Sequence, residues 1–262
     1  MRLGSHVSRG TALAEAAATD SDVVQVFVSP PQSWAAPKPG VGDQALIASG
    51  IQVFVHAPYL ANPASLNPEV RRKTHACLQQ QLDAAATLGA SGLIVHGGHP
   101  TGDGTIDDGI KGWLEVLEGL EYSVPLLIEN TAGGKAAVAR RFDDFARLLD
   151  SLRTAGHPVG VCLDTCHAHA GGEDLAGVAE RLVRFAGAVD FMHVNDSKDT
   201  FDSGRDRHEN LGAGACKLDH ILEAVGVAGC PAVVETPNGI EAQAADVRLL
   251  RESLGLPVTH AG

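Results

Sequence analysis

Eight short apolar runs rich in β-branched residues recur along the chain, separated by segments with helical spacing. The runs are Arg2–Ser5, Val23–Val28, Ile51–His56, Gly92–His96, Val124–Glu129, Val159–Asp164, Val189–Val194 and Pro231–Glu235. Strands buried on both faces read as nearly continuous apolar stretches, and these runs are too short for helices. Between them, Glu69–Leu88 is the clearest helix: Val70, Cys77, Leu78, Leu82, Ala85 and Leu88 repeat at helical intervals, and Gly89 follows as a stop. Phe142–Leu152 repeats the pattern, while Thr11–Thr19 and Asp43–Ala48 are shorter and weakly patterned. Eightfold strand–helix alternation without a polar linker predicts an α/β fold, a single (β/α)8 TIM barrel spanning residues 1–262. An open doubly wound sheet is the alternative. It loses support because no GxGxxG follows the first run and no P-loop occurs. Pro30–Gly42 reads as a long loop on the active face.

Aromatic residues are 4% of the chain, so the core must be aliphatic. The net charge of −12 argues against a non-specific DNA-coating protein. It leaves room for an enzyme whose metal ions and basic loops supply local positive charge. Five cysteines and a start, MRLGSHVSRG, without an apolar signal core point to reduced thiols in the cytoplasm. No run is long enough to span a bilayer, so no membrane partner is expected.

Barrel active sites lie at the C-terminal ends of the strands. Six of the eight runs end in or beside an ionisable group: His56, His96, Glu129, Asp164 followed by His167, His193, and Glu235. One such residue alone is better read as structural. Six converging on one barrel mouth form a metal site, because buried charges are costly unless paired or metal-bound. In the segment DSGRDRHENLGAG, Asp206 and His208 are separated by one residue and share a face of an extended loop. A solvated charged loop is an equal reading of that segment by itself. Cys162 and Cys166 flank Asp164 and read as packed thiols; His75, His157, His220 and His260 read as surface residues.

The segments GSHVS, QSWAAPKP, VHAPYLAN, IVHGGH, IENTAGG, CLDTCHAHAGG, MHVNDSKD, GRDRHENLGAG and VVETPN, between residues 4 and 238, closely resemble the endonuclease IV family of apurinic/apyrimidinic endonucleases. CLDTCHAHAGG and the NDSKD…DRHENLG pair carry the resemblance most specifically. The resemblance implies three Zn2+ ions per chain. His56 and His96 would hold one; Asp164, His193 and Glu235 a second, with Glu129 bridging the two. His167, Asp206 and His208 would hold the third. It implies hydrolysis of duplex DNA 5′ to an abasic site, leaving a 3′-hydroxyl and a 5′-deoxyribose phosphate, with Glu129 orienting the nucleophile. A monomer without nucleotide cofactor and a possible 3′-trimming activity are implied as well.

Candidate groove-inserting residues are Gln32, Trp34 and Tyr59, and candidate phosphate contacts are Lys38, Lys135, Lys198, Arg205 and Arg207. Many relatives carry a basic residue where this chain has Pro30–Ser33, so duplex penetration is expected to differ here. His6, His99 and Asn195 are expected to hydrogen-bond the ligands or the phosphate. Asn130 and Asn210 are expected to lock loops, and His169 to lie near the ligands. Two rivals remain. A sugar isomerase or epimerase of the xylose isomerase-like type would need Glu129, Asp164, His193 and Glu235, but not the other five ligands. A non-catalytic damage-binding module would gain little from an intact ligand set.

Overall fold

The structure is a computed structural model and describes residues 1–257; His260 lies outside the described residues. The strands are β1 (Leu3–His6), β2 (Val23–Val26), β3 (Gln52–His56), β4 (Leu93–His96), β5 (Leu126–Glu129), β6 (Val159–Asp164), β7 (Phe191–His193), β8 (Asp196–Ser197), β9 (His208–Glu209) and β10 (Ala232–Val234). The helices are α1 (Ala12–Ala18), α2 (Asp43–Ala48), α3 (Pro68–Thr87), α4 (Ile106–Leu117), α5 (Phe142–Thr154), α6 (Thr165–Gly171), α7 (Val178–Ala186), α8 (Leu218–Ala228) and α9 (Ile240–Ser253). Eight strands close a parallel barrel in the order β1-β2-β3-β4-β5-β6-β7-β10, with helices in the connections. This is the predicted (β/α)8 barrel.

Six of the barrel strands are shorter than their apolar runs, β6 coincides with its run, and β1 is shifted by one residue. Pro125 and Pro231 lack an N–H, so β5 and β10 begin one residue later, although both prolines still accept a ladder bond through their carbonyls. Phe27 and Val28 leave the sheet after β2. The connection after β6 holds two helices, and β8 and β9 form an antiparallel pair outside the barrel. Neither was expected.

Side chains alternate inside and outside along each strand. One interior cluster consists of Val23, Phe54, Ile94, Leu127, Cys162, Phe191 and Val233. Phe54 and Phe191 stack at its centre with ring centroids 4.0 Å apart. This cluster plugs the barrel. β1 contributes Gly4 at the same level, where a Cβ would stand 1.8 Å from the Val23 carbonyl oxygen. Two residues further along each chain, on the same face, the strands present His6, Gln25, His56, His96, Glu129, Asp164, His193 and Glu235. The plug is therefore a dry apolar floor, and the ring above it is polar from every strand.

The larger apolar cluster lies between barrel and helices. Trp113 on α4 is fully buried and donates its indole N–H to the Gly97 carbonyl at 2.7 Å, tying the helix layer to the residue after His96. Substituting Trp113→Phe keeps the ring but leaves that carbonyl unpaired. We expect a loss of about 1–3 kcal/mol in unfolding free energy, read from urea denaturation.

Candidate metal centre

Glu129 ends β5 with no exposed surface. Its Oε2 lies 3.1 Å from His56 Nε2 and 3.2 Å from His96 Nε2. Its Oε1 lies 3.0 Å from His193 Nδ1 and 3.0 Å from His167 Nδ1. Each carboxylate oxygen thus serves a different pair of imidazoles.

Strand register produces this convergence. His96 pairs with Glu129 across β4–β5, and Asp164 with His193 across β6–β7. Asp164 is also the N-cap of α6: its side chain accepts from the His167 backbone N–H at 2.7 Å, which fixes the turn that carries His167 inward. Asn130 brackets the Asp164 backbone, accepting from its N–H at 2.7 Å and donating to its carbonyl at 3.0 Å. Asn195 donates to Asp164 Oδ2 at 2.8 Å and accepts from the Glu235 backbone N–H at 2.8 Å, linking two candidate ligands.

The loop bearing Asp206 and His208 is held by carboxylates that the sequence reading did not single out. Asp196 accepts from the backbone N–H groups of Gly212, Gly214 and Cys216, and Asp246 from Leu211 N–H and the Asn210 amide. β8 pairs with β9. Gly133 passes so near this loop that a Cβ would stand 2.1 Å from the Gly204 carbonyl oxygen. Asp206 Oδ1 is consequently 3.1 Å from His167 Nε2 and 3.2 Å from His208 Nε2.

The residues fit metal ions. His167 Nε2 and His208 Nε2 are buried and make no aligned hydrogen bond, which leaves two ring nitrogens unsatisfied. The donor atoms of His56, His96 and Glu129 lie within 4.8 Å of one another, as do those of His167, Asp206 and His208. The mixture of imidazole and carboxylate suits zinc or a similar borderline cation. Cys162 joins Glu129 and His193 in a further such group, and Cys166 joins Asp164 and His208. Both thiols are packed as expected, but they also border the centre; burial pushes each up to about 12, so they stay protonated. The described cysteines are all free.

Burial opposes charge throughout and raises the Asp164 carboxyl, yet several of the other groups hold one another ionised. For His167, Asp164 and Asp206 outweigh burial and raise the pKa well above the usual imidazole value. His193 is raised likewise, with Cys162, Glu235 and Glu129 favouring its charged ring. His208 rises to about 9 beside Asp164 and Asp206. Glu235 falls to about 2 against the same opposition, chiefly through His193 and His6. His96 and His6 are pushed down to about 4 by burial.

The remaining sequence candidates divide. His6 lies 3.5 Å from Glu235 Oε1. Tyr59 is half-exposed, stacks over His96 with centroids 5.8 Å apart, and stands edge-on to His56. Exposed Leu60 follows it. Gln32 and Lys38 are exposed and Trp34 half-buried. Lys135 is exposed and lies 3.6 Å from Asp103; Lys198 lies 3.8 Å from Glu209. Arg205 and Arg207 are not free cations, because both engage Asp199. His99 is not brought to the ligands: it is exposed, and among the described residues its hydrogen bonds are backbone ones to Asn62. His169 is buried and bonds the Asp199 carbonyl.

His75, His157 and His220 are half-buried rather than on the surface; His75 bonds the Val116 carbonyl and His157 the Tyr122 hydroxyl. Sequence reading missed Gln25, which touches three residues of the ring, and Arg9. Arg9 pairs with Asp43 and donates to the Val28 and Lys38 carbonyls, clamping the long loop. The period-two register would have revealed Gln25, as the residue two places beyond Val23; for Arg9 no sequence signal stands out.

The sequence pattern of the xylose isomerase-like TIM barrel family matches residues 13–253. A protein named probable endonuclease 4 from Mycobacterium bovis (strain BCG / Pasteur 1173P2) is 47% identical over 255 residues, covering 97% of this chain and 100% of that one. The crystal structure of endonuclease IV from Thermus thermophilus superposes with a TM-score of 0.82 at 33% identity, over 97% of this chain and 99% of that one. A D-tagatose 3-epimerase-like protein shares the fold, with a TM-score of 0.78 at 19% identity over 97% of each chain.

Metal ligands must be deprotonated. Imidazoles raised above the usual range therefore hold protons at pH 7 that a bound ion must displace. We expect zinc binding to release protons and to tighten as pH rises toward about 9, where His208 loses its proton unaided. Calorimetry in two buffers of different ionisation enthalpy measures this, and equal heats in both would contradict it.

Proposed function

The chain belongs to the endonuclease IV family, within the xylose isomerase-like TIM barrels, and from that premise we propose that it hydrolyses the DNA backbone 5′ to abasic sites with three zinc ions. The reaction leaves a 3′-hydroxyl and a 5′-deoxyribose phosphate. The observation that carries this reading is Glu129, whose two oxygens face two different pairs of imidazoles, as a carboxylate shared between two ions would. His56 and His96 would hold one ion, Asp164, His193 and Glu235 the second, and His167, Asp206 and His208 the third. Five of these ligands exceed what a sugar epimerase of this fold needs, which favours the nuclease.

Bound zinc supplies positive charge against the phosphodiester anion and the acidity that yields hydroxide near neutral pH. The chain's own residues do the rest. The apolar plug closes the floor beneath the ring, so the polar groups face only the open end of the barrel. Glu129 orients the nucleophile. Tyr59, held over His96, and Leu60 beside it form an apolar ledge at the rim, suited to filling the gap that a missing base leaves in the stack. Gln32 and Trp34 lie on the neighbouring loop, joined to Tyr59 by its backbone N–H bond to the Pro31 carbonyl. Lys38, Lys135 and Lys198 contact phosphates. Arg205 and Arg207 exchange Asp199 for phosphate when DNA arrives, which keeps the rim from attracting nucleic acid indiscriminately. Trimming of blocked 3′ ends is the same chemistry on the same phosphate. The whole chain acts as one barrel, as a monomer in the cytoplasm, without a nucleotide cofactor. Among the described residues no helix is long and apolar enough to cross a membrane.

A duplex carrying one tetrahydrofuran abasic analogue tests the proposal, because the analogue blocks β-elimination. We expect a single cut leaving a 3′-hydroxyl, abolished by a strong chelator and restored by Zn2+. Glu129→Gln should bind the duplex yet lose more activity than the ~10–100-fold that removing a merely supporting group costs. An intact duplex at full zinc occupancy would turn attention to ketoses and aldoses with Mn2+.

A further inference from the structure

Gln25 is fully buried on β2 and occupies the polar ring directly above Val23 of the plug. Its Nε2 lies 2.6 Å from Glu235 Oε1 and 2.9 Å from His6 Nδ1, and its Oε1 lies 2.7 Å from His193 Nε2. A carboxylate only accepts hydrogen bonds, so the amide nitrogen must face Glu235. The reversed amide would set two acceptor oxygens against each other at that distance. The amide oxygen therefore faces His193, and only a proton on Nε2 satisfies it. In the singly protonated ring that binds a metal, the lone pair of His193 is therefore on Nδ1, the nitrogen that faces Glu129 Oε1 (3.0 Å), Glu235 Oε2 (3.4 Å) and Asp164 Oδ2 (3.9 Å). The second amide hydrogen goes to His6 Nδ1, so every strong direction of the amide is used.

The other candidate ligands are pinned differently. His56 Nδ1 donates to the Ala57 carbonyl (2.7 Å), His167 Nδ1 to the Asn130 carbonyl (3.0 Å) and His208 Nδ1 to the Glu235 carbonyl (3.3 Å). In each, a backbone oxygen holds Nδ1, which in His167 also lies 3.0 Å from Glu129 Oε1, and leaves Nε2 free of any backbone partner. Among these four imidazoles of the described residues, His193 alone is oriented by a side chain rather than by a backbone oxygen.

Resting on the metal reading above, we propose that Gln25 is a positioning residue of the metal centre. It fixes His193 as the Nε2–H tautomer and holds Glu235 by one oxygen, so that Nδ1 and Oε2 face the same ion. The ion held by Asp164, His193 and Glu235 then depends on an uncharged amide that no ion touches. An orienting partner of this kind sets ring direction and ligand basicity, and its loss weakens metal affinity by about 10–100-fold.

The test uses the full chain loaded with zinc. Zinc is counted in the wild type and then withdrawn with a chromophoric chelator from wild type, Gln25→Leu and Gln25→Glu. The ring nitrogens of His193 are observed by 15N NMR in the loaded wild type. We expect the Nε2–H tautomer in the wild type. Gln25→Leu should release one zinc at a roughly 10–100-fold lower chelator concentration while the others stay. Gln25→Glu still accepts from His193 but opposes Glu235, so it should release the same zinc with the tautomer retained. In both variants kcat should fall while KM for the abasic duplex holds, since Gln25 is buried beneath the ligands. A proton on Nδ1 of His193, or wild-type zinc retention in Gln25→Leu, overturns the proposal while the metal reading stands. A wild type that takes up no zinc removes both. Should Gln25→Leu not fold, the wild-type spectrum and Gln25→Glu still decide.

Discussion

The carboxylate of Glu129 is buried without exposure at the end of a barrel strand, and the arrangement around it follows from that burial. An isolated carboxylate in such a place would be neutral. Glu129 instead lies well below the usual carboxylate range, because His193, His96 and His167 surround it and outweigh the burial. Several of the imidazoles are raised in turn by the carboxylates beside them. No member of this set is stable in its place without the others. It is also a set in which positive ions can take over the role of the protons.

Such a set needs rigid support, which the protein supplies from below and from the side. The plug gives it a close-packed apolar floor, with Phe54 stacked on Phe191. Backbone carbonyls and asparagine amides, rather than charged groups, take the outer hydrogen bonds of the ligands. Dipoles of this kind orient a charged ligand without adding further charge to a crowded interior. The peripheral loop that carries Asp206 and His208 belongs to no barrel strand. It is anchored by Asp196 and Asp246, two buried carboxylates that spend their charge on backbone N–H groups.

The same division bears on how an acidic chain meets an acidic polymer. A net charge of −12 is spread over the body, while the rim carries Lys38, Lys198, Arg205 and Arg207. Asp199 holds the two arginines in place and tempers them.

Much of the barrel was legible in the chain, because strands buried on both faces must be written in aliphatic residues and few other elements are written so briefly. The ends of those runs exposed His56, His96, Glu129, Asp164, His193 and Glu235, since a charged side chain closing an apolar strand is conspicuous. Gln25 is inconspicuous for the opposite reason: an amide inside VVQVFV carries no charge and does not end its apolar run, although the two-residue register puts it on the inward face. The antiparallel pair of β8 and β9, the pairing of Arg205 and Arg207 with Asp199, and the retreat of His99 from the ligands depend on loop paths that no periodicity encodes. The sequence by itself determined the fold and which residues end its strands, because burial and the two-residue period of a strand are local properties of the chain. Only the tertiary structure decided which nitrogen each histidine turns inward, and that an amide on β2 holds ligands on β7 and beyond β10, because hydrogen-bond geometry exists only once the barrel has closed.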